Sequence, residues 1–85
     1  MPMFLIERNF AEQLNMTTEI AGKITEVNED MGVRWLFSFL SADQKKTYCL
    51  YEAPTADLIR ENARRLNIPA DVVIEVSDIK PEMYV

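Results

Sequence analysis

The sequence predicts an α+β fold of the ferredoxin-like type, in which a four-stranded antiparallel sheet carries two helices on one face. Two observations lead to this prediction. Two aromatic-rich apolar runs flank a polar segment at the centre of the chain, and a helical pattern lies on either side of this hairpin. A short apolar run at each end completes the order β-α-β-β-α-β, for which the expected strand order is 4-1-3-2.

The central hairpin extends from Val33 to Pro54 and contains the single tryptophan and the single cysteine of the chain. Its polar turn comprises residues 41–46, and Pro54 ends its second strand. A chain of 85 residues is long enough for one such domain. We therefore expect a single domain over residues 1–85, with a short tail at residues 80–85.

The segment before the hairpin is expected to form a strand and then a helix. Residues Met3–Arg8 are apolar on both alternating faces, which favours a central strand. From Phe10 to Met31, apolar residues recur at spacings of three and four, so we expect a helix with Asn9 as its N-cap. Gly32 stands where a left-handed glycine commonly ends a helix.

The segment after the hairpin predicts a second helix and a last strand. Thr55 is a suitable N-cap, Asn67 can adopt the left-handed conformation at the helix end, and Pro69 prevents continuation. Residues Asp71–Ile79 are rich in valine and isoleucine and are expected to form the fourth strand.

The composition limits the partners and the chemistry. The chain carries 14 acidic and 9 basic residues, and its net charge of −5 disfavours nucleic acid and anionic membranes as partners. A single cysteine excludes an intrachain disulfide, and the lack of histidine removes the commonest general base and metal ligand. Because the chain has no signal-peptide pattern and no apolar run of about 20 residues, we expect a cytoplasmic protein.

Alternation along the strands assigns residues to the two faces of the predicted sheet. The face under the helices is expected to hold Phe4, Ile6, Trp35, Phe37, Phe39, Cys49, Tyr51, Val72, Ile74 and Val76. The opposite, open face is expected to hold Leu5, Glu7, Arg34, Leu36, Ser38, Leu40, Tyr48, Leu50, Glu52, Val73 and Glu75. Because so large an apolar surface is unfavourable in water, we expect a homodimer through the open face, as in dimeric α/β barrels.

The open face is also where a ligand site is expected. The polar side chains that would line a cavity between two sheets are Glu7, Arg34, Ser38, Tyr48, Glu52 and Glu75. Such residues suit a small ligand or a divalent metal. The same residues also fit a structural role, with a cross-strand ion pair between Arg34 and Glu52 and with Tyr48 near Ser38. Cys49 is expected to be a buried, unreactive core residue, and no catalytic residue is predicted.

The hairpin and the second helix resemble a widespread bacterial family of small domains of unknown function, one branch of which is described as nickel-binding. The matching runs are V-R-W…S…S-A-D…K-T-Y-C-L-Y-E-A-P, then I-R-E-N-A-R-R and I-P-A-D. The most specific positions are Trp35, Ser38, Asp43, Lys46, Cys49, Tyr51, Glu52, Ala53, Pro54, Ala63 and Pro69. The resemblance extends from Phe4 to Ile79. It implies a ferredoxin-like fold, a homodimer, and surface-bound Ni²⁺ that the protein sequesters.

Three hypotheses for function follow. The first is a non-enzymatic dimeric protein that binds a divalent metal, although Asn62 stands where members of the family often carry histidine, so only carboxylates remain as ligands. The second is an enzyme or small-ligand binder that uses the space between two sheets, with Arg34 orienting an anionic group and Glu52 or Glu7 as base. The third is a pure interaction module.

Overall fold

The computed structural model describes residues 1–84 and has the predicted order of elements. The elements are β1 Met3–Asn9, α1 Thr18–Met31, β2 Arg34–Leu40, β3 Lys46–Glu52, α2 Ala56–Leu66, β4 Val72–Val76 and a short 3₁₀ helix, Pro81–Tyr84. Val85, the last residue of the predicted tail, lies outside the described residues. The sheet order is β2-β3-β1-β4 with antiparallel neighbours, which is the predicted order 4-1-3-2 read from the other edge.

The helix ends agree with the sequence signals. The Thr55 hydroxyl accepts a hydrogen bond of 3.2 Å from the backbone N–H of Leu58, as an N-cap does. Asn67 ends α2 and Gly32 ends α1, both in the left-handed region, with φ of 56° and 70°. The caps predicted at Thr55, Asn67 and Gly32 are therefore confirmed, whereas Asn9, the predicted N-cap of α1, is the last residue of β1.

The first helix begins at Thr18, so the predicted start at Phe10 is wrong. The backbone N–H groups of Phe10 and Leu14 donate to the carbonyls of Lys45 and Gln44, at 2.8 and 2.7 Å. These hydrogen bonds tie the segment of residues 10–17 to the β2–β3 turn and replace the bonds that a helical turn would supply. Thr17 then caps the helix, since its hydroxyl accepts from the N–H of Ile20 at 3.1 Å.

A β-bulge in β2 overturns part of the predicted face assignment. Arg34 and Trp35 pair with Glu52 and Tyr51, but the register shifts between Trp35 and Phe37, so that Phe37 lies opposite Leu50. One extra residue reverses the alternation for the rest of the strand. Phe37 and Phe39 therefore lie on the open face, whereas Ser38 and Leu40 lie on the face under the helices, the reverse of the prediction.

The last strand is also reversed and is shorter than predicted, since it ends at Val76. Val73 pairs with Ile6, so it lies under the helices, and Glu75 pairs with Phe4 on that same face. Val72, Ile74 and Val76 consequently lie on the open face. The more apolar set of alternating residues in this strand is the outward one, because pairing with β1 places Val73 and Glu75 on the helix side.

The main core lies between the sheet and the helices. Its buried members are Phe4, Ile6, Val33, Cys49, Tyr51, Ala53 and Ile59. Ile59 connects α2 to the sheet, and Ile24 is the buried apolar residue of α1. Within residues 1–84, no helix has the length and apolar character needed to cross a membrane.

Candidate functional site

Two surfaces of the sheet are candidates for function. Pairing across the strands arranges the open face in three rows of four residues. The end rows are Arg34–Glu52–Met3–Val76 and Phe39–Tyr48–Glu7–Val72, and the middle row is Phe37–Leu50–Leu5–Ile74. The middle row is apolar from one edge of the sheet to the other.

The charges of the open face lie toward its two ends and form loose cross-strand pairs. Arg34 Nη1 lies 3.5 Å from Glu52 Oε1, which confirms the predicted ion pair, and Lys46 Nζ lies 3.6 Å from Glu7 Oε1. Because Glu7 faces Tyr48 whereas Glu52 faces Met3, the two carboxylates are at opposite ends of the face. They do not converge on one ligand within a single chain.

The predicted site is therefore only partly assembled. Four of its six residues lie on the open face, namely Glu7, Arg34, Tyr48 and Glu52. The other two, Ser38 and Glu75, lie on the helix side, because of the bulge and of the β4 pairing. Tyr48 consequently lies opposite Phe39 rather than near Ser38. A ligand role for these six residues stays a prediction.

Ser38 instead belongs to a cavity on the helix side of the sheet. Its hydroxyl accepts a hydrogen bond of 2.8 Å from the Trp35 indole N–H, across the bulge. The cavity has a volume of about 230 Å³. Its floor is the sheet, with Arg8, Trp35, Ser38, Leu40, Thr47, Cys49 and Tyr51. Its other walls come from the segment of residues 10–17, from α1 and from the α2–β4 connection, through Phe10, Leu14, Met16, Ile20, Ile24 and Ile68.

Arg8 is the one charged side chain in the wall of this cavity, and only 2% of it is exposed. Its Nη1 donates to the Pro69 carbonyl at 2.6 Å, and its guanidinium lies 5.8 Å from the centre of the Tyr51 ring. Its Nη2 is buried without a hydrogen-bond partner, and within residues 1–84 no carboxylate lies at ion-pair distance from Arg8. Arg8 is thus a buried cation with little compensation in the protein.

Tyr51 connects the cavity to a buried polar pair between the helices. Burial raises the pKa of the Tyr51 phenol above its usual 10, a change that Asn28 and the nearby Arg8 charge partly oppose. Asn62 Nδ2 donates to Asn28 Oδ1 at 2.8 Å, and this buried pair packs α1 against α2. The neutral phenol is therefore the form that lies beside Arg8 at physiological pH.

The donor groups of a single chain do not fit a nickel centre. Within the described residues, no three side chains of histidine, cysteine, aspartate or glutamate come close enough to hold a metal ion. The one cysteine, Cys49, is buried, and its thiol contacts the Thr47 hydroxyl at 3.5 Å. Nickel favours imidazole, which this chain lacks, so any contact with nickel rests on carboxylates.

The sequence analysis did not identify Arg8 as a functional residue. The signal was present, however, because Arg8 shares the alternation of Phe4 and Ile6, the two residues that mark the inward face of β1. A charged residue at an inward-facing position of a central strand is rare and indicates either a partner in the fold or a ligand. The cavity itself was not predictable, because it depends on residues 10–17 being non-helical.

The fold and the two surfaces define a small ferredoxin-like protein with an apolar open sheet face. The model of the nickel responsive protein family SCO4226-like matches residues 4–76, and this chain belongs to that family. A crystal structure of SCO4226 from Streptomyces coelicolor A3(2) superposes with a TM-score of 0.69 at 18% sequence identity, covering 92% of this chain and 99% of that one. This likeness supports the fold. No curated protein matches the sequence significantly.

Proposed function

We propose that this protein is a non-enzymatic, cytoplasmic homodimer that acts in the response of the cell to nickel. The open face of the sheet carries the proposal. Its middle row is entirely apolar, and Phe37, Phe39 and Ile74 are all at least half exposed in the single chain. A surface of this kind is typical of an interface between protein chains.

A second copy of the chain is the partner that this face fits best. Each end row contains one acidic residue with a basic residue beside it, Glu52 with Arg34 and Glu7 with Lys46. Under a two-fold rotation about an axis along the middle row, the apolar row meets itself and each end of the face, which carries one acidic and one basic residue, meets the other end. Such self-complementarity is what a symmetric dimer requires.

The dimer is tested by light scattering coupled to gel filtration at micromolar concentration. We expect twice the 9.8 kDa mass of the chain. Phe39→Asp places a charge in the interface and is expected to weaken the dimer by roughly 30-fold or more, the effect of losing an interface hot spot. The matched control is Ile79→Asp, which alters an exposed apolar residue outside the sheet. A wild-type monomer would exclude this proposal.

Binding of nickel itself is a second candidate, favoured by the family description. Glu7 and Glu52 are its best ligands, because both are only partly buried and their ion pairs are long, at 3.6 and 3.5 Å. With carboxylates alone, binding should be weak and poorly selective for nickel over manganese or magnesium.

Calorimetric titration with nickel and with magnesium tests this candidate. We expect similar weak heats for the two ions, reduced in the double variant Glu7→Gln/Glu52→Gln and unchanged in Glu19→Gln, an exposed residue of α1. If nickel produces no heat above that of dilution, or the same heat in the double variant as in the wild type, then these carboxylates do not bind nickel and the role of this chain in the response is indirect.

The enzyme or ligand-binder alternative needs a space between two sheets, with Arg34 orienting an anionic group and Glu52 or Glu7 as base. The opposite positions of the two carboxylates on the open face argue against their joint use in one chain. A crystal structure of the dimer separates the readings. A dry interface filled by the Phe37–Leu50–Leu5–Ile74 row excludes this alternative, whereas ligand density between the sheets supports it.

A further inference from the structure

We propose that the cavity on the helix side of the sheet is a binding site for a small amphipathic carboxylate, whose acid group pairs with Arg8 and whose apolar part fills the rest of the cavity. This site lies on the opposite side of the sheet from the dimer face and is independent of the proposed dimer and of nickel. Three properties of the cavity lead to the proposal: its size, its lining and its buried charge.

The size of the cavity suits a ligand of about ten non-hydrogen atoms. The cavity has a volume of about 230 Å³ and is partly open to solvent, since Met16, Ile20 and Leu40 in its lining are 45, 43 and 48% exposed. An apolar cavity of about 150 Å³ is sufficient to hold benzene, which gives a measure of what this larger space can contain. A medium-chain fatty acid of eight carbons, or a phenyl-substituted short acid, has the required size.

The lining is apolar except at one end. Leu14, Met16, Ile20 and Ile24 provide aliphatic and thioether contacts from above the sheet, and Trp35 provides an aromatic wall. Arg8 and its cross-strand neighbour Thr47 lie in the last row of the helix-side face, together with Leu40. This asymmetry predicts a ligand with an apolar body and a polar head, because the body then contacts apolar side chains and the head contacts polar ones.

The charge of Arg8 determines the sign of that head group. A guanidinium stays protonated at all physiological pH values, so Arg8 cannot lose its charge to adapt to burial. Its Nη2 is buried and has no partner in the protein, so the guanidinium has to turn toward the cavity to pair with a carboxylate, which is the group that it binds best.

The test uses Trp35, the single tryptophan, as a reporter inside the cavity. Its emission is followed while the full-length protein is titrated with three probes of equal chain length: octanoate, octan-1-ol and octylammonium. We expect a saturable blue shift with octanoate, because the ligand replaces water beside the indole. Affinity for octanol should be about 10- to 100-fold lower, the usual value of a hydrogen-bonded charge, and octylammonium should bind least.

A variant locates the head group. Arg8→Met keeps the length and apolar volume of the side chain, and we expect it to lower the affinity for octanoate to that for octanol while octanol binds as before. The control is Arg64→Met, on the exposed surface of α2, which should preserve the preference for octanoate. As a second readout in the wild type, octanoate should slow the reaction of Cys49 with a thiol reagent, because Cys49 lines the same cavity.

Three results would overturn the proposal. The first is equal affinity of the wild type for octanoate and octanol, which needs no variant and so does not depend on whether Arg8→Met folds. The second is octanoate binding that alters neither the Trp35 emission nor the reactivity of Cys49. The third is a folded Arg8→Met variant that retains the preference for octanoate.

Discussion

The open face and the helix-side face of the same sheet both place charged residues toward their ends, but they compensate those charges differently. On the open face, Glu7 and Glu52 each lie within 4 Å of a basic side chain and are partly in water. On the helix side, Arg8 is almost completely buried and its Nη2 has no partner. An unpaired charge costs little free energy at the surface, whereas an unpaired charge in the interior costs much more. The buried Arg8 is therefore the stronger indication of a ligand.

The largest expected difference between the two faces concerns packing. Ile6→Ala should lower the free energy of unfolding by about 3 kcal/mol, because Ile6 is completely buried and its truncation leaves a cavity. Ile74→Ala on the open face should cost about 1 kcal/mol or less in a monomer, since its side chain is half exposed. Urea unfolding of both variants in a Phe39→Asp background, which removes dimerisation, measures the two effects. Equal losses would mean that the open face is covered within the chain.

The next effect concerns the two arginines. Arg8→Met should raise the free energy of unfolding by about 1 kcal/mol in the absence of ligand, because an uncompensated buried charge is replaced by an apolar side chain. Arg34→Met, on the open face, should change it by less than about 0.5 kcal/mol. Thermal unfolding provides the comparison. A loss of stability in Arg8→Met would show that the hydrogen bond to Pro69 outweighs the cost of burying the charge.

A smaller effect on stability is expected at the N-terminus of α1, the helix that contributes to the wall of the cavity. Thr17→Ala removes the hydroxyl that caps α1 and should cost about 1 kcal/mol, with faster hydrogen exchange in the first turn. The neighbouring Thr18→Ala is the control, because Thr18 lies in the first turn of the helix and is exposed. If the first turn exchanges at the same rate in the two variants, the Thr17 hydroxyl does not act as the N-cap of α1.

The smallest effect concerns the β2–β3 turn that anchors residues 10–14. Hydrogen bonds from the Ser41 hydroxyl and from the Lys45 N–H hold the pKa of Asp43 below its usual 3.8. The folded state thus gains stability from ionised Asp43 above pH 3.8 and loses it as the pH falls through the lowered folded value. An NMR titration should show the low pKa, and Asp43→Asn should remove this part of the acid sensitivity. An Asp43 titration at or above 3.8 would contradict the turn geometry.

Much of the fold was predictable because its signals are local. The caps at Thr55, Asn67 and Gly32, the polar turn and the strand order all follow from neighbouring residues and from helix and strand periodicity. The same reasoning placed Glu7, Arg34, Tyr48 and Glu52 on the open face, because their positions precede or avoid the bulge. The prediction failed for Ser38, Glu75 and the start of α1, where the outcome depends on distant contacts.

By itself, the sequence determined the element order, the family resemblance, the lack of histidine and the presence of an arginine on an inward-facing position. The tertiary structure alone decided which residues share a face and whether a cavity forms. An extra residue in β2 reverses all later side chains of that strand, and only pairing with β3 reveals it. The apolar spacing of residues 10–17 suits a helix, but hydrogen bonds to the hairpin turn hold the segment as a wall of the cavity. The hydrogen bonds from Phe10 to Lys45 and from Leu14 to Gln44 join residues 35 and 30 positions apart, which no local pattern encodes.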